Sequence, residues 1–260
     1  MASLFRTAAA VCLVALNGLQ SQATTTITYK FTPVAVDDAA YLAANLVRNG
    51  QLPVHINEVT KGNSLVSALE QEVKSKTNEK QEAEATDPTC SELVKPEGLK
   101  DIFHYTFAYQ EKPNYRELLQ EALNAGLTVF KNAEYQNQWD TIWGVDAGGS
   151  LAYLLGANST TIGCIIGECT TLKSGGGDRQ IQTESKTGKA VLFCELDPET
   201  EKNKAPFDDE YFKGLIARTA LLADMTEEDL KAPTNGSTAV AAVPTILAAG
   251  LVVTLTAVFA

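Results

Sequence analysis

The amino-acid sequence predicts an α+β domain. Helical periodicity fills the first half of the chain, and β-branched or alternating runs fill the second. That segregation places helices against a small sheet instead of threading them between parallel strands. The stretch between the two apolar termini is long enough for one sizeable core, and no proline- or glycine-rich linker divides it.

Asp37–Asn49 reads as a helix. Asp37 or Asp38 can accept from the free N–H groups of the first turn, Gly50 ends it, and Ala39, Leu42 and Leu46 share a face. Ser64–Ala83 reads as a second helix with the stripe Leu65, Leu69 and Val73, its charged later half solvated. Asp87-Pro88-Thr89 forms a turn before Cys90. Phe103, Tyr105, Phe107 and Tyr109 alternate with His104, Thr106 and Ala108, the period of a strand. Asn114 caps a third helix that Gly126 stops, and Gln136–Val145 reads as a short helix with Trp139 and Trp143 on one core-facing side. Leu151–Leu155, Thr161–Thr170 and Ala190–Leu196 read as apolar, strand-like runs. The polar segment Lys173–Lys189, with Gly175-Gly176-Gly177, reads as a long hairpin loop. No Gly-Lys-Ser/Thr follows those glycines, so they do not form a phosphate cradle. Asp208–Leu222 reads as the last helix.

Both termini carry address-like signals. Met1–Ala23 holds one basic residue, Arg6, an apolar run over Thr7–Leu19, and the small-x-small site Ser21-Gln22-Ala23. This is the pattern of a removable secretory signal peptide, residues 1–23. At the other end, Asn235-Gly236-Ser237 precedes Thr238–Ala260, which contains no charged residue. Small residues, a spacer and an apolar tail make a GPI-attachment signal, with Asn235 as the attachment residue, Gly236 or Ser237 as near alternatives, and 236–260 removed. An ordinary membrane span is the competing reading, but Thr245–Ala260 is shorter than the roughly 20 residues a spanning helix needs. The expectation is a single domain over 24–235, exported and tethered to the outer leaflet of the plasma membrane.

The formal net charge of −11 repels polyanions, so nucleic acid is not an expected partner. Cys12 leaves with the signal peptide. Cys90, Cys164, Cys169 and Cys194 form an even set, which in an exported chain implies disulfides, with three pairings open. A zinc site is disfavoured because no C-x2-C pair exists and only His55 and His104 add nitrogen ligands. No metal or other cofactor is expected. No nucleophile–base constellation is visible either: Gly148-Gly149-Ser150 lacks the second half of a Gly-x-Ser-x-Gly elbow. The chain is therefore read as a non-enzyme. Asn158-Ser159-Thr160 is a glycosylation sequon at Asn158, with a tight turn as the favoured alternative.

The run from Ser150 through Asn158-Ser159 and Gly163-Cys164, followed by Ile165-Ile166-Gly167-Glu168-Cys169, resembles a signature of the CAP superfamily of cysteine-rich secretory, antigen 5 and pathogenesis-related proteins. Val191-Leu192-Phe193-Cys194 followed by Asp197-Pro198 resembles a second element of that superfamily. The resemblance implies a three-layer αβα sandwich with disulfides Cys164–Cys194 and Cys90–Cys169. The family's cleft often holds two histidines and two acidic residues, yet the signature histidine falls on Ser150 here. Signal peptide, acidic CAP-like domain, few cysteines and GPI tail together resemble the surface antigen (SAG) family of Eimeria. That implies a coat protein of invasive stages that contacts a host-cell surface component and the host immune system. The alternative is a CAP-like lipid or small-ligand carrier with Trp139, Trp143 and Tyr153 lining a pocket.

Overall fold

The structure is a computed structural model that describes residues 25–81, 87, 89–95, 98–133, 135, 138–174 and 182–231. The signal-peptide residues 1–23, the triple glycine 175–177 and everything from 232 onward, including Asn235 and its tail, lie outside the described residues.

Twelve main elements follow one another: β1 (Thr26–Ala35), α1 (Asp38–Asn49), β2 (Thr60–Lys61), α2 (Asn63–Ser75), β3 (Thr77–Gln81), β4 (Phe103–Ala108), α3 (Tyr115–Lys131), α4 (Trp139–Gly144), α5 (Asp146–Leu154), β5 (Thr161–Ser174), β6 (Gln182–Asp197) and α6 (Asp209–Ala217). The sheet runs β3-β1-β5-β6-β4 with antiparallel neighbours, and the short β2 joins β5 in parallel.

Pleating sorts the side chains of this sheet into two cores. Ile162, Cys164 and Ile166 of β5, with Leu192 and Cys194 of β6, face α1, α3, α4, α5 and α6. Ile165 and Cys169, with Val191 and Phe193, face α2 and the segment 90–102, joined by Ile27, Tyr29 and Phe31 of β1. Helices thus cover both faces of one largely antiparallel sheet, an α+β arrangement.

Several local expectations hold for the reason given. Asp37 caps α1 by accepting from Ala39 N at 3.0 Å, and the N–H of Gly50 closes the other end on Leu46 O. The buried stripe is Ala40, Ala43, Ala44 and Val47 together with Leu46. Ala39 is exposed. Asn114 caps α3. Trp139 and Trp143 are buried, Trp139 among the rings of Phe130, Tyr135, Phe207 and Phe212.

Other boundaries move. The second helix stops at Ser75, and Thr77–Gln81 becomes the edge strand β3, paired with β1 from Thr26↔Gln81 to Lys30↔Thr77. Helical apolar spacing ends at Val73, and a charged run is tolerated on a sheet edge. Its pairing partner β1 was not expected as a strand, although Ile27, Tyr29 and Phe31 bury at period two. Gly126 does not stop the third helix, which runs to Lys131. Its missing Cβ lets α5 approach, because a Cβ there would stand 2.4 Å from Leu151 Cδ2. The run Leu151–Leu155 is not extended but belongs to α5 and its C-terminal cap. Leu151, Ala152, Leu154 and Leu155 are all buried, and an all-apolar run carries no period to separate strand from helix.

The expected loop Lys173–Lys189 is mostly ladder, since β5 continues to Ser174 and β6 begins at Gln182. Pairs such as Thr171↔Ser185 and Lys173↔Thr183 are polar, and residues 183–186 of β6 are exposed. The last helix ends at Ala217. Arg218 is extended, and its Nη1 donates to Leu46 O, Val47 O and Gly50 O at the C-terminus of α1, where a cation is favoured.

Candidate functional site

The four cysteines form two disulfides, Cys90–Cys169 and Cys164–Cys194. These are the pairs that the CAP resemblance implies. Cys164 and Cys194 sit opposite each other in the β5–β6 register with Cα atoms 4.2 Å apart, the close spacing of a non-hydrogen-bonded pair. Cys169 points to the other face and ties β5 to the segment carrying Cys90, whose backbone is left-handed at φ 56°. Asp87 organises that segment. One carboxylate oxygen accepts from the N–H and hydroxyl of Thr89, the other from the N–H and hydroxyl of Ser91. Burial pushes this carboxyl up, but the four hydrogen bonds outweigh it and hold it below the usual range.

Ser150, which the CAP resemblance sets against a histidine, is buried on α5. Its hydroxyl donates to His104 O at 2.7 Å and accepts from His104 N at 2.9 Å. It is therefore a backbone clamp on β4. The His104 ring contacts Ile102 O through Nδ1 at 3.0 Å and Asp146 through Nε2 at 3.1 Å. Both ring nitrogens are engaged by acceptors other than Ser150, so the three residues do not form a nucleophile–base relay. The hydrogen bond from His104 holds the Asp146 carboxyl below its ordinary range, against the opposing effect of burial. His55 contacts Leu52 O through Nε2. Among the described residues no group of three or more His, Cys, Asp or Glu could hold a metal ion.

Two clefts meet at the His104–Asp146 pair. One, of about 330 Å³, is lined by Ser91, Val94, Lys95, His104 and Thr106. The other, of about 220 Å³, is lined by Asp101, Trp143, Ser150, Tyr153 and Lys202. Lys100 and Asp146 border both. Tyr153 and Lys202 both donate to Asp101 Oδ1. Burial and the Asp101 carboxylate beside it raise the Tyr153 phenol. The rings of Trp143 and Tyr153 meet edge to face with centroids 4.7 Å apart, and Trp143 Nε1 donates to Lys204 O. The expected apolar pocket built from Trp139, Trp143 and Tyr153 is not assembled: Trp139 lies in the aromatic core, and the cleft beside the other two is lined by charged groups.

Asn158 is exposed on a turn closed by Ser159 N donating to Gly156 O, while Ser159 itself is buried with its hydroxyl on Pro198 O. No sequence signal pointed to Arg48, the largest fully buried side chain among the described residues. Its guanidinium donates to Asn57 O, Leu154 O and Gly156 O, and Tyr211 donates to its own carbonyl. Burial lowers its pKa to about 10. One of its acceptors lies 108 residues away in sequence, so no local motif announces it.

No protein-family model matches the chain, and no curated protein matches it significantly. The crystal structure of the Eimeria tenella surface antigen protein SAG19 aligns with 72% of this chain and 97% of that chain, at 14% identity and a TM-score of 0.44. A likeness of that degree assigns no role.

Proposed function

We propose that this chain is a GPI-anchored surface antigen of an Eimeria-like parasite. In this reading a single CAP-like domain over 24–235 is displayed on the outer leaflet, anchored through Asn235, and engages a host-cell surface component by contact and not by catalysis. The observation that carries the reading is the charge-free run Thr238–Ala260 directly after Asn235-Gly236-Ser237, matched by a secretory pattern at Met1–Ala23. Two disulfides suit a chain that folds in an oxidising compartment. Among the described residues no helix is long and apolar enough to cross a membrane. The acidic balance speaks against nucleic acid as the partner.

The test is release from intact cells by phosphatidylinositol-specific phospholipase C, followed by mass spectrometry of the C-terminal peptide. The expected result is loss of surface signal and a released chain whose C-terminal peptide ends at Asn235 with a phosphoethanolamine-glycan remnant, the diacylglycerol staying in the membrane. A mature chain retaining residues beyond Ser237 overturns the anchor and, with it, the display.

A further inference from the structure

The outer edge of β4 is only half closed. Ser150 takes up both the N–H and the C=O of His104, so the even-numbered residues of β4 point their backbone groups away from β6. Tyr109 N donating to Gly188 O continues the odd-numbered, β6-facing series. Beyond the serine clamp, the N–H and C=O groups of Thr106 and Ala108 have no backbone partner among the described residues, and both residues are exposed. A row of unpaired backbone groups is a template for another strand.

The two sides of this edge differ in charge. His104 and Thr106 turn toward the cleft of about 330 Å³ that Lys95 and Lys100 line together with Asp146, whose carboxylate is taken up by the His104 ring. Lys95 pairs with Glu92 at 2.6 Å, whereas Lys100 is exposed and makes no ion pair among the described residues. Phe107 turns to the other side, where a cleft of about 160 Å³ is lined by Glu117, Leu118 and Glu121 beside Ala108, and Tyr105 donates its hydroxyl to Glu121. Successive residues of an added strand point to opposite sides, so they meet lysines on one side and glutamates on the other.

We propose that the β4 edge from Thr106 to Ala108 takes an extended peptide of a partner protein in which acidic and basic side chains alternate. A second copy of this chain is the weaker occupant. Antiparallel pairing of β4 with itself about a two-fold axis keeps each face on the same side, which sets Lys95 and Lys100 toward their own copies and Glu117 and Glu121 toward theirs. Like charges so placed repel.

The test is fluorescence anisotropy on the intact chain in detergent. The probe is a short, end-blocked, fluorescein-labelled peptide of alternating glutamate and lysine. Two control peptides have the same composition in two charge blocks, or N-methyl groups on alternate amides. The expected result is saturable binding of the alternating peptide, with both controls about tenfold weaker or worse. Lys100→Glu, on an exposed side chain, should weaken the alternating peptide by a similar factor. Thr106→Pro should abolish binding while the circular dichroism spectrum is kept, since the lost N–H faces away from β6. If Thr106→Pro fails to fold, the N-methylated peptide poses the same question to the unaltered chain. Equal binding of the alternating and block peptides, or no binding, overturns the proposal. A concentration-dependent dimer in analytical ultracentrifugation that Thr106→Pro dissolves also overturns it, assigning the edge to a second copy.

Discussion

On one face of the sheet, five helices bury a broad core in which rings of Phe130, Trp139, Phe207 and Phe212 pack together and Arg48 supplies a polar centre. On the other, α2 and the segment 90–102 cover a smaller cluster, and Asp87 and the Cys90–Cys169 bond pin that segment down. The broad face is held by area removed from water, its Cys164–Cys194 bond joining strands that are already paired, whereas local polar turns and a covalent tie hold the covering segment of the narrow face to the sheet. A short segment with few apolar side chains cannot offset its own ordering entropy by burial alone. The disulfide acts by restricting the unfolded chain.

Removing the polar centre of the broad face should do the most damage. Arg48→Met takes four charged hydrogen bonds from the carbonyls of Asn57, Leu154 and Gly156, of which only Gly156 O keeps another backbone donor among the described residues, Ser159 N, and we expect a loss of about 5 kcal/mol in urea unfolding. Cutting the tie on the narrow face comes next. Cys90→Ala with Cys169→Ala opens a loop of 79 residues in sequence, for a loss of about 4 kcal/mol. Hydrogen exchange should show the difference between the faces: amides of α2 and 90–102 lose protection in the cysteine variant while those of α3 and α5 keep theirs. Uniform loss over both faces would mean that the sheet does not insulate one core from the other.

Two smaller changes sharpen the contrast. Gly163→Ala places a Cβ 2.7 Å from Val66 N, so α2 must lift from β5, at a cost of about 2 kcal/mol with little change in the opposite core. Asp87→Ala should cost about 1.5 kcal/mol at neutral pH. Because the folded-state carboxyl lies below its ordinary range, this contribution is complete above the unfolded carboxylate pKa and vanishes as pH falls through the lowered folded value. Thermal midpoints of the unaltered and Asp87→Ala chains should therefore converge in acid. A gap that persists at the lowest pH points to lost packing in place of lost hydrogen bonds.

What the sequence reveals of all this follows from distance along the chain. Asp37 and Gly50 bracket α1, and the aromatic alternation of β4 marks a strand, because both signals lie within the element itself. The cysteine pairs are suggested by family resemblance, not by any property of the spacing. The His104–Asp146 contact spans 42 residues, and Ser150 reaches His104 across 46. Neither leaves a local trace. Arg48 belongs to no local pattern, and only the carbonyls of Asn57, Leu154 and Gly156 reveal it as an interior residue. The charged run after Val73 misleads for a different reason: glutamate and lysine suit a solvated helix and a sheet edge equally, and β1, waiting at the start of the chain, decides between them.

The pairing of β1 with β5, from Thr26↔Ser174 to Ala35↔Ile165, sets an order of events during synthesis. An inner strand is made first, and its main partner leaves the ribosome only after well over half the polypeptide has been translated. During that wait Cys90 is a free thiol, and the first cysteine to follow it is Cys164, not its mate Cys169. Once β5 pleats, Cys164 and Cys169 are carried to opposite surfaces, and the wrong thiol is turned out of reach. In the folded strand only Cys169 is presented to Cys90.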